Sequence, residues 1–207
     1  MNDINNTLSS KLLEAGVNEL AKLPGIGKKT ALRLALHLLK KENQEVEIFG
    51  NTLIRMKNEI RFCKKCHNIS DSDLCVICSG IKRDSTKVCI VEDIKDVLFI
   101  ENTGQYNGLY HILGGLISPI DGVGPSDLNI QTLLERIESE TINEIIFALP
   151  TTVEGDTTGF FIYRKISQRV EIISALAKGV AIGNDLEYTD EITLGKSIIN
   201  RTLYNGI

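Results

Sequence analysis

The sequence predicts an α+β protein of several modules: a helical N-terminus, a compact four-cysteine module and an α/β domain with a mostly parallel sheet. Three observations support this prediction. Apolar residues recur at helical spacing over residues 8–40, four cysteines form two close pairs, and short β-branched runs alternate with helical stretches after residue 80. Strands that alternate with helices indicate βαβ units, in which neighbouring strands lie parallel.

The N-terminal module is predicted to be helical. One helix runs from about Leu8 to Leu23, a second passes through Ala31 to Leu39, and a third amphipathic stretch covers residues 48–60. The string Pro24-Gly25-Ile26-Gly27 separates the first two helices as a tight turn.

The residues from Leu23 to Ala31 have the form of a helix-hairpin-helix DNA-binding motif. Gly25 and Gly27 permit a turn that side chains would block, and the N–H groups that begin the next helix favour a phosphate oxygen. Positive charge at this helix start comes from Lys28, Lys29 and Arg33. These contacts read no bases, so binding is predicted to be independent of sequence and sensitive to salt. The alternative is a structural helical hairpin with a solvated basic face.

Four cysteines follow in a C-x2-C-x8-C-x2-C array, Cys63, Cys66, Cys75 and Cys78. Each pair places two thiolates on a tight turn, and two such pairs can close a tetrahedral Zn²⁺ site with no open position for chemistry. The metal is therefore predicted to be structural. The alternative, two disulfides, is disfavoured because the polar N-terminus has no apolar signal region that would direct the chain to an oxidising compartment. His67 is a weaker candidate ligand.

Four strand candidates alternate with helical stretches in the second half of the chain. The strands are Val88–Val91, Leu109–Leu113, Ile145–Leu149 and Glu171–Ala175, and the helices cover residues 94–101, 128–140 and 157–169. This order predicts a parallel α/β sheet.

Acidic residues follow two of these strands. Glu92 ends the first strand, and Glu154 and Asp156 follow the third. Parallel strands end at one edge of a sheet, so the three carboxylates are expected to meet there and to need Mg²⁺, a basic side chain or a shared proton. The Glu…acid-x-Asp arrangement resembles the Toprim fold of topoisomerases, primases and some nucleases, although Glu154 stands where the catalytic pattern usually has Asp. The alternative is that these acids cap and close loops.

Charge is divided unevenly along the chain, whose formal net charge is −4. Residues 1–87 hold 15 Lys and Arg against 10 Asp and Glu, whereas residues 88–207 hold 8 against 17. A polyanion is thus the expected partner of the front half, and a metal or basic protein that of the back half. No stretch is apolar enough to span a membrane, and a cytoplasmic location is expected.

Taken together, these motifs resemble the bacterial recombination mediator family RecR over nearly the whole chain. The resemblance rests on the hairpin Leu23–Ala31, the array Cys63–Cys78, Ile90-Val91-Glu92, Thr103–Gly108, Gly114–Pro125 and Gly179–Gly183. The most specific string is Ser-Pro-x-Asp-Gly-x-Gly-Pro, which ends at Pro125.

The resemblance implies a DNA-binding mediator of DNA repair that is not an enzyme. Family members form ring-shaped tetramers that encircle DNA, and they act with RecO, and with RecF, to place RecA on gaps coated by single-strand-binding protein. It implies that Lys29 and Arg33 face DNA and that Glu92, Glu154 and Asp156 contact a partner protein. The rival interpretation is a Mg²⁺-dependent Toprim nuclease or primase-like enzyme.

Four modules are predicted from these patterns. They are a helix-hairpin-helix module over residues 1–55, a four-cysteine zinc finger over 56–80, a Toprim domain over 81–175 and a C-terminal strand or helix segment over 176–207 that completes the sheet or the oligomer.

Overall fold

The computed structural model describes residues 10–181, 183 and 185–203, and the chain forms two units, residues 1–60 and 61–207. Leu8 of the predicted first helix and Ile182 of the C-terminal string lie outside the described residues. In the described part of the chain, no helix has both the length and the apolar character needed to cross a bilayer.

From residue 10 onward, the first unit forms three helices: α1 (Lys11–Leu20), α2 (Lys28–Leu38) and α3 (Asn43–Glu59). The side chain of Ser10 caps α1 by accepting a hydrogen bond from the N–H group of Leu13. Helices α1 and α2 pack through a small core of Val17, Ala31 and Ala35. Helix α3 buries none of its residues and exposes large apolar side chains, Ile48, Phe49, Leu53, Ile54 and Met56.

The second unit begins with the cysteine module. Strands β1 (Arg61–Phe62) and β2 (Ile69–Ser70) form a short antiparallel pair. The chain between them turns through His67, whose φ of +64° is a left-handed conformation that is uncommon for a residue other than glycine. The turn is closed by hydrogen bonds from the Cys63 N–H group to Asn68 and from the His67 N–H group to Cys63.

The described residues of the rest of the second unit form a four-stranded parallel sheet and the helices around it. Its strands lie in the order β4-β3-β5-β6. They are β3 (Asp84–Val91), β4 (Gly108–Ile112), β5 (Glu144–Ala148) and β6 (Ile172–Ala175), connected and followed by α4 (Ile94–Asn102), α5 (Ile130–Ser139), α6 (Val153–Ile166) and α7 (Glu191–Ile199). These findings confirm the predicted fold class.

The two faces of β3 pack against different cores, because successive side chains of a strand point to opposite faces. Val88 and Ile90 pack on one face, in the core that contains residues of α5 and α6. Cys89 and Val91 pack on the other face with Val97 of α4 and with three cysteines of the array. The cysteine module therefore covers part of one face of the sheet.

Several elements differ in length from their predictions, and the starts of β3 and α6 are two examples. Strand β3 begins at Asp84, because Asp84 pairs with β4 and Lys87 pairs with β5 although the polar first half of the strand has no apolar run. Helix α6 begins at Val153 and not near residue 157, because the Thr152 side chain caps it by accepting from the N–H group of Gly155. Beyond β6, the described residues form a 3-10 turn at Leu186–Tyr188 and helix α7, with no further strand.

Candidate nucleic-acid interface, metal centre and acidic edge

The turn between α1 and α2 presents the start of α2 to solvent. Gly25 has a φ of +79°, which only glycine adopts readily, and the Ile26 N–H group closes the turn on the carbonyl oxygen of Leu23 at 3.1 Å. Gly27 occupies the N-cap position with an extended backbone and has no side chain to cap the first N–H groups of α2. An anion such as a phosphate oxygen would find these donors and the positive end of the helix dipole together.

Cationic side chains continue along one face of α2. Lys29 and Arg33 are exposed one helical turn apart, as the sequence predicts for a phosphate-binding face. They share a shallow groove of about 400 Å³ with residues that sequence reasoning did not single out, Leu32, Leu36, His37 and Lys40. The helical spacing of residues 29, 33, 37 and 40 is the signal that could have found this longer basic face.

The sulfur atoms of the four cysteines lie within 4.8 Å of one another. Four sulfurs at about 2.3 Å from a zinc ion lie about 3.8 Å apart in a tetrahedron, so the cluster has the right size for Zn²⁺. The Sγ atoms of Cys66 and Cys75 are 3.5 Å apart, far beyond the roughly 2.05 Å of a disulfide bond. All five cysteines are free thiols, which removes the disulfide alternative for this fold.

The pKa values of three of the clustered thiols are shifted by their surroundings. Burial opposes ionisation of Cys63, but N–H groups of Cys75, Cys66 and Lys65 point at its sulfur and lower its pKa to about 7. The hydrogen bond that the Cys66 thiol donates to Cys78, followed by burial, raises the pKa of Cys66, and burial raises that of Cys75 to about 11. Four adjacent thiolates would therefore need a divalent cation to offset their charge, and Zn²⁺ would supply that charge when bound.

Polar contacts join the cysteine module to β4 and to the α5 region of the second unit. The Cys66 carbonyl accepts from the N–H group of Ile112 in β4 at 3.0 Å. Lys65 forms an ion pair with Glu140 at 3.0 Å, beyond the end of α5. The Nε2 atom of His67 lies 2.8 Å from the hydroxyl of Thr132 in α5. His67 is thus engaged with α5 and is outside the four-residue cluster.

The three acids that the sequence places at one edge of the sheet have different surroundings in the structure. Glu92 is half-buried, and burial raises its pKa, with Asp96 and Asp93 adding to the effect. Asp156 pairs instead with Lys178 at 2.9 Å. Within residues 10–181, 183 and 185–203, the cysteine cluster is the only group of three or more His, Cys, Asp or Glu side chains close enough to share a metal ion.

Glu154 and Asp156 both lie in the first turn of α6, which begins earlier than the sequence predicts. That these two acids meet Glu92 at the edge of the sheet and contact a partner there stays a prediction.

Comparison with protein families divides the chain into four matched segments. A RecR helix-hairpin-helix family matches residues 13–57, a RecR four-cysteine zinc finger domain matches 60–80, a Toprim domain matches 86–177 and a RecR C-terminal family matches 179–202.

Curated relatives match over nearly the full length. The recombination protein RecR of Bacteroides fragilis is 56% identical over 203 residues, which is 98% of this chain and 99% of the relative. The RecR protein of Bacteroides thetaiotaomicron is 55% identical over the same shares of the two chains. That of Cytophaga hutchinsonii is 58% identical over 94% of this chain and 96% of its own.

Proposed function

Because this chain belongs to the RecR family of recombination proteins, we propose that it is a DNA-binding mediator of recombination and repair that performs no catalysis itself. It acts with RecO, and with RecF, to load RecA on gapped DNA coated by single-strand-binding protein. The observation that carries the DNA-binding part is the hairpin turn, where uncapped N–H groups of α2 adjoin the exposed cations Lys29 and Arg33.

The DNA contact consists of Gly25 and Gly27 in the turn and Lys28, Lys29 and Arg33 after it. The glycines allow a phosphate to approach the backbone, and the side chains add positive charge that does not depend on base sequence. Both single- and double-stranded DNA present such phosphates, so both are expected ligands.

The metal site consists of Cys63, Cys66, Cys75 and Cys78, which hold a structural Zn²⁺. The bound ion supplies cross-linking of the module and neutralises the thiolates. Glu92, Glu154 and Asp156 are not among the groups of described residues close enough to share a metal ion, which disfavours catalysis by a bound metal there. We assign these acids to the recruitment of a basic partner, RecO. Mg²⁺ at this edge is accordingly expected to be dispensable for function.

Assembly into a ring-shaped tetramer is supported by the apolar side chains that α3 exposes along its length. We propose the module bounds 1–55, 56–80, 81–175 and 176–207 for this cytoplasmic protein, with the last segment taking part in assembly. Exposed apolar residues of α7, such as Ile198 and Ile199, support that role.

A titration of fluorescent gapped DNA tests the DNA contact. The wild type is compared with the double variant Lys29→Ala/Arg33→Ala across a range of salt, with and without Mg²⁺, and the DNA is then examined on a gel. Loss of two phosphate contacts should weaken binding at least tenfold and reduce the salt slope of log K by about 2. The matched control is Lys11→Ala/Lys57→Ala, which removes two exposed charges of the same unit outside the hairpin.

We expect the wild type to bind DNA in a salt-sensitive way and to leave the DNA intact. The hairpin variant should lose this binding, and the control variant should retain it. Equal weakening by both double variants would mean that overall charge and not the hairpin binds DNA. Cleavage or extension of the DNA only with Mg²⁺ would establish the rival Toprim enzyme.

A further inference from the structure

We propose that the loop of residues 117–124, here named the Ile120 loop, anchors a basic partner protein by inserting Ile120 into an apolar slot on that partner. The proposal rests on the proposed function, because it assigns a second contact to the acidic edge that recruits RecO. The Ile120 side chain is 93% exposed at the tip of this loop.

The Ile120 loop holds its tip in one conformation. Ser118 and Val123 exchange two backbone hydrogen bonds of 3.0 and 2.9 Å, and the Ser118 hydroxyl donates to a carboxylate oxygen of Asp121 at 2.6 Å. Gly122 turns the chain with a φ of +74°. An apolar side chain on a loop that is already ordered loses little conformational entropy on binding, which favours its use as an anchor.

Hydrogen bonds connect the base of the Ile120 loop to the acidic turn of α6. The hydroxyl of Thr158, a fully buried residue, accepts from the N–H group of Ile117 at 2.8 Å and donates to the carbonyl of Glu154 at 2.7 Å. Ile120 is three positions after Ile117, so the tip lies within about 11 Å of this junction. The anchor and the carboxylate of Glu154 can therefore contact one partner.

The charge around the Ile120 loop selects the kind of partner. Between Lys95 and Arg164 the sequence has one basic residue other than histidine, Arg136, and that residue is buried. Asp121 lies next to the anchor, and Glu154 is one helical turn from Thr158. Ile120 is exposed next to Asp121 and is connected to the acidic first turn of α6, in which Asp156 pairs with Lys178. Such a residue fits a partner that offers an apolar slot bordered by basic residues.

The test measures binding of purified RecO from the same bacterium to the full-length chain by calorimetry, at low and at raised salt. Replacing Ile120 by Ser should weaken binding tenfold or more, because the anchor loses most of its apolar area. The affinity for RecO should fall by the same factor at both salt concentrations, since the substitution changes no charge. Ile120→Leu should bind within about threefold of the wild type.

The matched control is Ile81→Ser, which changes an equally exposed isoleucine (99%) that is followed by the basic residues Lys82 and Arg83. It should bind RecO as the wild type does. Melting temperature and oligomer mass are measured for every variant, and Ile120→Ser should change neither because its side chain is exposed.

Three results would overturn the proposal, and they are distinguishable. If Ile120→Ser binds RecO with wild-type affinity, Ile120 is not an anchor, and RecO still stands as the proposed partner. Loss of the oligomer in Ile120→Ser would reassign the loop to contacts between copies of this chain. Absence of RecO binding by the wild type would overturn the proposed partner, and the anchor with it.

Discussion

His111 is fully buried in β4, and its imidazole packs edge-on against that of His67 at 5.2 Å between ring centroids. Its Nε2 atom lies 2.7 Å from the carbonyl oxygen of Asn129, which can only accept, so Nε2 carries the proton. The other ring nitrogen, Nδ1, has no hydrogen-bond partner among the described residues. Burial lowers the pKa of His111 to about 3, and the charge of Arg136 contributes.

Acid should therefore destabilise the second unit through His111. Since the folded pKa lies below the ordinary 6.5, the unfolded chain binds the proton first, and stability falls as the pH decreases from about 6.5 towards 3. At about pH 5 the loss amounts to about 2 kcal/mol. His111→Gln should flatten the dependence of melting temperature on pH, measured with zinc present, relative to wild type.

The control for this change is His37→Gln, which replaces an exposed histidine of α2 and should leave the pH dependence unaltered. A slope in His111→Gln as steep as that of the wild type would assign the acid sensitivity to other groups, such as the cysteine cluster.

At the scale of single residues, the sequence predicts the chemistry of a side chain more readily than its position in the structure. The spacing of the cysteines fixes their chemistry, because two CxxC pairs can close one metal site in any fold that brings them together. The placement of Glu154 and Asp156 depends on where α6 begins. The start of α6 is fixed by the Thr152 cap, which is one local hydrogen bond with a weak sequence signal.

The cysteine module is the element whose stability should depend on a metal. Cys66→Ala leaves three thiolates and removes one bond of the cluster, so zinc content should fall and the module should lose much of the roughly 10 kcal/mol that zinc binding contributes. Metal analysis and the melting temperature check this expectation. Because the module packs on β3 and β4, the melting temperature of the sheet should fall as well.

Cys89→Ala is the matched control, because Cys89 is a buried thiol of β3 outside the cluster. It should retain zinc and lose about 1 kcal/mol of stability through a small cavity. Full zinc content in Cys66→Ala would show that the remaining ligands suffice and would contradict the prediction.

At the scale of elements, alternating strands and helices were predictable because each strand of a parallel sheet is buried on both faces and forms a continuous apolar run. The polar half of β3 has no such run. Its position follows from pairing with β4, including a shift of register after Asp84, and a single strand carries no information about its neighbour's register.

For the whole molecule, the proposed function puts the DNA contact and the partner contact in different units, and the two activities should be separable. Glu154→Ala/Asp156→Ala should weaken RecO binding at least several-fold while leaving the affinity for gapped DNA unchanged, since the hairpin lies in the first unit. Pull-down of RecO and the DNA titration measure the two effects on the same preparations.

Glu171→Ala/Glu187→Ala serves as the control, since it removes two exposed acids of the same unit away from the first turn of α6. Equal loss of RecO binding in both double variants would attribute recruitment to overall charge. A loss of DNA binding in the Glu154/Asp156 variant would show that the two activities are coupled.

The contact between the Cys66 carbonyl and the Ile112 N–H group has a consequence for synthesis of the chain. Residues 61–80 leave the ribosome before residues 108–112, and translation at roughly 5–20 residues per second separates the two events by seconds. A metal-closed turn can therefore be complete while β4 is still being made, and it then offers that strand a fixed acceptor. The availability of zinc during translation would set the order in which this edge of the sheet assembles.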